Sequence, residues 1–187
     1  MFIQTEATPN PQTLKFLPGR EVLSGEPMDF RDEEAAGRSP LASALFSVDG
    51  VTGVFLGSDF VAVTKNDTDW SHLKPAVLGA IMEHFLSGNP ILADGETAPE
   101  DSGGEVFFDE SDAEMVEVIR ELLDTRVRPA VAMDGGDITF RGFRDGTVFL
   151  HMQGACSGCP SSTATLKNGI ENLLRHFVPG VEQVQQV

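Results

Sequence analysis

Gly154-Ala155-Cys156-Ser157-Gly158-Cys159-Pro160-Ser161-Ser162 contains both cysteines of this 187-residue chain. The stretch reads as a junction between a strand and a helix. Before it, residues 148–152 alternate as a strand does. After it, Leu166, Ile170, Leu173, Leu174 and Phe177 recur on one face of a helix that Pro160 opens. Further back, residues 138–143 form a partner strand, with Arg144-Asp145-Gly146 as the turn between the two. Gly135-Gly136 turns the chain into that first strand. The turn is preceded by a helix with Met115, Val118, Ile119, Leu122, Leu123 and Val127 at helical spacing. Ser111-Asp112-Ala113-Glu114 fits a capping box at its start, and Arg128-Pro129 is expected to end it. Residues 181–187 are polar and β-branched enough for a last strand. The order is helix, strand, strand, helix, strand, an α+β layer with the Cys-x-x-Cys loop before the second helix.

A different composition comes upstream. Residues 89–110 hold no Lys or Arg against seven Asp and Glu, with Gly and Pro throughout, and read as an acidic solvated linker. The chain divides there into three parts: residues 1–88, the linker 89–110, and residues 111–187. In the first part, 13–17 reads as a strand, and Pro40–Phe46 as a helix capped by Ser39. Residues 51–56 and 60–64 read as a hairpin, and 70–85 as a helix with Pro75 near its start. Thr8-Pro9-Asn10-Pro11 reads as a stiff extended arm. Both parts place a hairpin before a long helix. Where the second has its cysteines, the first has Asn66-Asp67-Thr68-Asp69, so the first part cannot hold a metal through thiolates.

Charge narrows the function. The formal net charge is −16, with no basic footprint to neutralise phosphates, so neither nucleic acid nor an anionic membrane surface is an expected partner. No apolar run reaches the ~18 residues of a spanning helix. The first residues lack a signal or transit pattern, which makes the bacterial cytoplasm the simplest reading; a processed organellar form given a new Met would look the same.

Two thiols with two residues between them suit metal binding or redox chemistry. Cys159 falls where the helix N-cap would be. The free N–H groups and dipole of the first turn would then favour thiolate on both sulfurs. Gly154 and Gly158 would let backbone donors approach sulfur. On spacing alone, four readings stand: a dithiol/disulfide pair, half of a zinc site shared between two chains, two idle cysteines, or half of the ligand set of an iron–sulfur cluster. Asp134 and Asp137 read as turn and helix-end residues. His151 reads as a surface strand histidine, and Lys167 as a solvated side chain.

The wider pattern bears on the choice. Asp134-Gly135-Gly136-Asp137, then Gly154-x-Cys156-x-x-Cys159-Pro160-Ser161-Ser162, then Thr165-Leu166-Lys167-x-Gly169-Ile170-Glu171 resembles the C-terminal domain of the NifU/Nfu iron–sulfur carriers. The opening 4–16, Gln-Thr-Glu-Ala-Thr-Pro-Asn-Pro-Gln-Thr-Leu-Lys-Phe, resembles the N-terminal domain of the Nfu branch. The resemblance implies a cluster carrier and not an enzyme. It implies Cys156 and Cys159 as ligands of a 4Fe–4S cluster held between the two subunits of a homodimer. Its expected partners are an upstream scaffold that supplies the cluster and the apo iron–sulfur proteins that receive it.

Overall fold

In a computed structural model the chain forms two compact units, one within Met1–Glu100 and one within Asp101–Val187. The structure describes residues 1–95, 106–157 and 160–187, with the backbone alone for 160–162. The central part of the acidic segment and Cys159 lie outside the described residues.

The first unit is a five-stranded antiparallel sheet with helices packed on it. Its strands are β1 (Gln4–Ala7), β2 (Thr13–Leu17), β3 (Met28–Phe30), β4 (Val51–Leu56) and β5 (Val61–Lys65), in the order β1-β2-β5-β4-β3. The helices are α1 (Glu33–Ala36), α2 (Pro40–Phe46) and α3 (Trp70–Ser87). Phe16, Val54, Leu56, Val61 and Val63 of the sheet meet Leu41, Leu45, Leu73, Val77 and Ile81 of the helices in one core. The strand, helix and hairpin expected at 13–17, 40–46 and 51–64 are present, together with the long helix. β1, β3 and α1 are additional. Each is three or four residues long, too short for a hydrophobic period to register.

The expected extended arm is instead the turn that joins β1 to β2. The Asn10 side chain accepts a hydrogen bond from the Gln12 N–H at 3.0 Å, and the Thr13 N–H returns to the Asn10 carbonyl at 3.0 Å. Trp70 Nε1 donates to the Pro11 carbonyl at 3.2 Å, pinning the turn to α3. At the other end of this unit, Ile91 and Leu92 pack on its core and the Ala93 N–H donates to the Arg38 carbonyl.

The second unit has a three-stranded sheet of β6 (Gly136–Arg144), β7 (Thr147–Gly154) and β8 (Gln183–Gln186). β6 and β7 are antiparallel, and β8 runs parallel to β7 after the helix α6 (Pro160–Phe177). Asp145 and Gly146 make the hairpin turn with φ of 50° and 75°, both positive as a two-residue primed turn requires. Ile138 and Phe140 alternate with half-buried Thr139. Val148, Leu150 and Met152 alternate with half-buried Phe149 and His151, so one sheet face is apolar. That face is covered by Ile170 and Leu174 of α6 and by the helix before β6.

This preceding helix differs from expectation at both ends. The capping box is not made. A 3-10 turn, Glu110–Asp112, comes first, and the Asp112 N–H closes it onto the Asp109 carbonyl at 2.9 Å. α4 (Ala113–Leu122) follows without a side-chain cap. Nor does the helix stop at Arg128-Pro129: it passes through a π turn (Leu123–Val127) into α5 (Arg128–Met133). The reason lies in the spacing of the buried residues. Ile119, Leu123, Val127 and Val131 are each four apart. At 3.6 residues per turn every such step drifts by about 40°, so three steps would carry the stripe about 120° off the core. The wider π turn takes back roughly one residue of rotation. It also opens the position four residues behind Pro129, where the ring would otherwise clash. With the stripe so placed, Val116 faces the core and Val118 is exposed.

Ser39 ties two parts of the first unit together. Its Oγ accepts from the Ala42 N–H at 3.2 Å and donates to the Ile91 carbonyl at 2.5 Å. Ser39→Ala removes both the cap of α2 and the tie to the chain after α3. We expect a loss of about 1–3 kcal/mol, read as a lower urea midpoint for this unit at unchanged slope.

Candidate metal centre

The cysteine loop lies where three pieces of backbone converge: the end of α5, the start of β6 and the end of β7. Asp134 caps α5 and its N–H donates to the Val131 carbonyl at 3.0 Å. Gly135 then reverses the chain with φ of 81°. Gly136 opens β6 opposite Gly154, the last residue of β7. The Ala155 N–H donates to the Gly135 carbonyl at 3.2 Å, so the loop leaves β7 already tied to that turn. Three further bonds fold it. The Ser157 N–H and Oγ both donate to the Gly154 carbonyl, at 3.1 and 2.9 Å. Thr163 Oγ1, one turn into α6, donates to the Cys156 carbonyl at 2.9 Å.

The result is a buried Cys156, 6% exposed and packed in the core with Ile138, Met152 and Ile170. A Cβ at position 136 would stand 2.6 Å from the sulfur and 2.7 Å from the Gln153 carbonyl, so only glycine allows this seat. Burial, reinforced by the negative fields of Asp134 and Asp137, pushes the thiol up to about 12. Burial of Cys156 thus works against the thiolate expected from the helix start. Its sulfur is seated against Gly136 among core side chains, where desolvation favours the neutral thiol.

Asp137 does more than shape a turn. Its two carboxylate oxygens accept from Arg128 Nε and Nη2, each at 3.0 Å, and the carboxylate is only 8% exposed. Arg128 also reaches Asp124, one turn back, at 3.4 Å. Reading Arg128 as a helix end concealed this partner. The four-residue spacing of the core stripe is the signal that would have carried the helix past it. His151 stays on the half-buried face of β7, its Nδ1 3.1 Å from the Val187 carbonyl, and Lys167 is half-buried on α6. Among the described residues no group of three His, Cys, Asp or Glu side chains is placed to hold a metal.

Comparison with known proteins matches two family descriptions in succession. "Scaffold protein Nfu/NifU N terminal" matches residues 3–88, and "NifU-like domain" matches residues 119–185. The human protein named NFU1 iron-sulfur cluster scaffold homolog, mitochondrial, is 51% identical over the whole of this chain and 72% of its own length. The Drosophila sechellia protein of that name is 52% identical, and the Arabidopsis thaliana NifU-like protein 4, mitochondrial, is 50% identical. The chain spans 65% and 66% of the length of these two. A thiol-bearing loop on an α+β layer, joined to a thiol-free α+β unit, is thus the build of an iron–sulfur cluster scaffold. The chain belongs to the Nfu/NifU family and carries both of its domains. The mitochondrial designation of these relatives overturns the expectation of a bacterial cytoplasmic protein.

Two outcomes follow from the seat of Cys156. Gly136→Ala forces the sulfur and the Gln153 carbonyl apart and is expected to destabilise the second unit by about 1–3 kcal/mol. Cys156→Ala in the same chain should recover part of that loss, because the two changes share one contact. Urea titration of the four proteins of the cycle checks it; fully additive losses would refute the contact. The pH dependence has a definite sign. A thiol raised in the fold from about 9.0 to about 12 leaves stability intact below pH 9 and removes it as pH climbs toward 12. Thermal midpoints between pH 8 and 11 should fall in the parent chain and fall less in Cys156→Ala.

Proposed function

We propose that two copies of this chain hold one 4Fe–4S cluster as cargo through Cys156 and Cys159, and deliver it to apo iron–sulfur proteins after receiving it from an upstream scaffold. The observation that carries this reading is the number and place of the thiols. Both cysteines of the chain stand in one short loop between β7 and α6. A cubane takes four cysteines, and a two-fold pair of chains supplies four. The family supports iron and sulfide as the cargo over zinc.

The cargo is handed over unchanged, so the chain acts as a carrier and not an enzyme. Residues 111–187 carry the cluster. Residues 1–88 contain no cysteine and serve partner recognition, with 89–110 as the acidic connection. Loading removes the proton from a sheltered Cys156, as metal binding by thiols does generally. A ligand that returns to a protonated, buried seat when the cargo leaves favours release, because the seat competes with the metal for the sulfur. A net charge of −16 argues against nucleic acid as a partner. Among the described residues no helix is long and apolar enough to cross a membrane.

Anaerobic reconstitution with iron and sulfide tests the reading. The expected product is a dimer with about four irons and a broad thiolate-to-iron band near ~400 nm. Cys156→Ala should lose it. Full cluster loading by Cys156→Ala, or a colourless dimer with one tightly held zinc, would refute the proposal.

A further inference from the structure

We infer that Arg128 is a positioning residue for Cys156, acting through Asp137 to fix the backbone 135–137 against which the cysteine is seated. This rests on the cluster-carrier reading of the cysteine loop, but it concerns residues which that reading leaves without a role.

The geometry is continuous from the guanidinium to the sulfur. Arg128 grips both oxygens of Asp137 at 3.0 Å, the planar fork that matches a carboxylate in two directions at once. Asp137 is the neighbour of Gly136, whose Cα faces the Cys156 sulfur without room for a methyl group. Gly135, on the other side, accepts the Ala155 N–H that begins the cysteine loop. Holding Asp137 therefore holds the wall and the tether of Cys156 together. Arg128 is itself directed from behind by Asp124 and stands at the first residue after the π turn, which sets the side of the helix it leaves from.

Stability alone does not explain the pair. A largely buried ion pair is often no better than two well-packed apolar residues, while its hydrogen bonds are far more directional. Direction is what a ligand seat needs. The guanidinium also offsets the carboxylate charge beside a loop that must accept an anionic, thiolate-bound cargo.

The test uses the full chain, without and with cargo. In the metal-free protein, iodoacetamide labelling of Cys156 is followed at fixed pH by peptide mass. Arg128→Gln and Asp137→Asn are expected to label at least about tenfold faster, as a local opening shifted by one decade would give. Arg128→Lys, which keeps the charge but not the fork, should fall between them and the parent. In reconstituted protein, the visible circular dichroism and reduction potential of the cluster should move in the Gln and Asn variants and return part-way in the Lys variant. A purely structural role would lower the melting temperature and leave these readouts in place. The double variant Arg128→Met with Asp137→Met keeps an apolar pair for stability and lacks the fork, so it decides the matter if a single variant fails to fold. Labelling within about twofold of the parent in folded variants, with an unmoved spectrum, would overturn the inference. If the parent chain takes up no iron, the carrier reading falls, and the labelling rates still decide the role of Arg128.

Discussion

The second unit is organised around the approach of the Cys156 sulfur to Gly136. That contact requires a residue without a side chain at the start of β6, and a reversal just before it so that α5 can end clear of the loop. It also requires β6 and β7 to end level, Gly136 opposite Gly154, so that the loop can fold back over the sheet's end. Ion pair, turn and strand register all serve one small volume. A larger residue at 136 would meet both the sulfur and a carbonyl, neither of which can give way alone.

The two units share a local plan and differ in its chemistry. In each, a hairpin leads through a short loop into an 18-residue helix: β4, β5 and α3 in the first, β6, β7 and α6 in the second. In the first, the loop ends in Asp69, whose carboxylate accepts the Ser71 N–H and is held below the usual carboxylate range by that bond above all. A carboxylate cap closes the helix start on itself. In the second, the corresponding loop carries thiols, and its described side-chain bonds run from Ser157 and Thr163 to carbonyls. One local plan thus carries a carboxylate cap in one unit and thiols in the other.

Much of this was legible in the sequence because the informative signals are local. Ser39-Pro40 places a helix start, Asp145-Gly146 a two-residue turn, and alternation from 148 to 152 a half-buried strand, each on the strength of a few neighbours. What stayed hidden depends on tertiary partners. Arg128-Pro129 carries an ordinary stop signal, and only the core's demand for Val131 takes the helix through it. Asp137 looks like a turn residue until Arg128 is brought to it. The cysteine loop looks like a thiolate site because its sequence position beside a helix start is visible and the direction of the side chain is not. The strands β1 and β3 were missed because four and three residues are too few for any period. Family membership was legible from the spacing of the glycine and cysteine motifs taken together; compartment was not.

The π turn at Leu123–Val127 bears on how much this segment can shorten. It contains one residue more than a regular helix would use over the same rotation. Deleting one residue there would restore an ordinary helix and leave everything after it facing as before, because the turn already absorbs that residue's rotation. Arg128 and Val131 would keep their directions. This stretch can therefore lose one residue without redirecting the end of the helix.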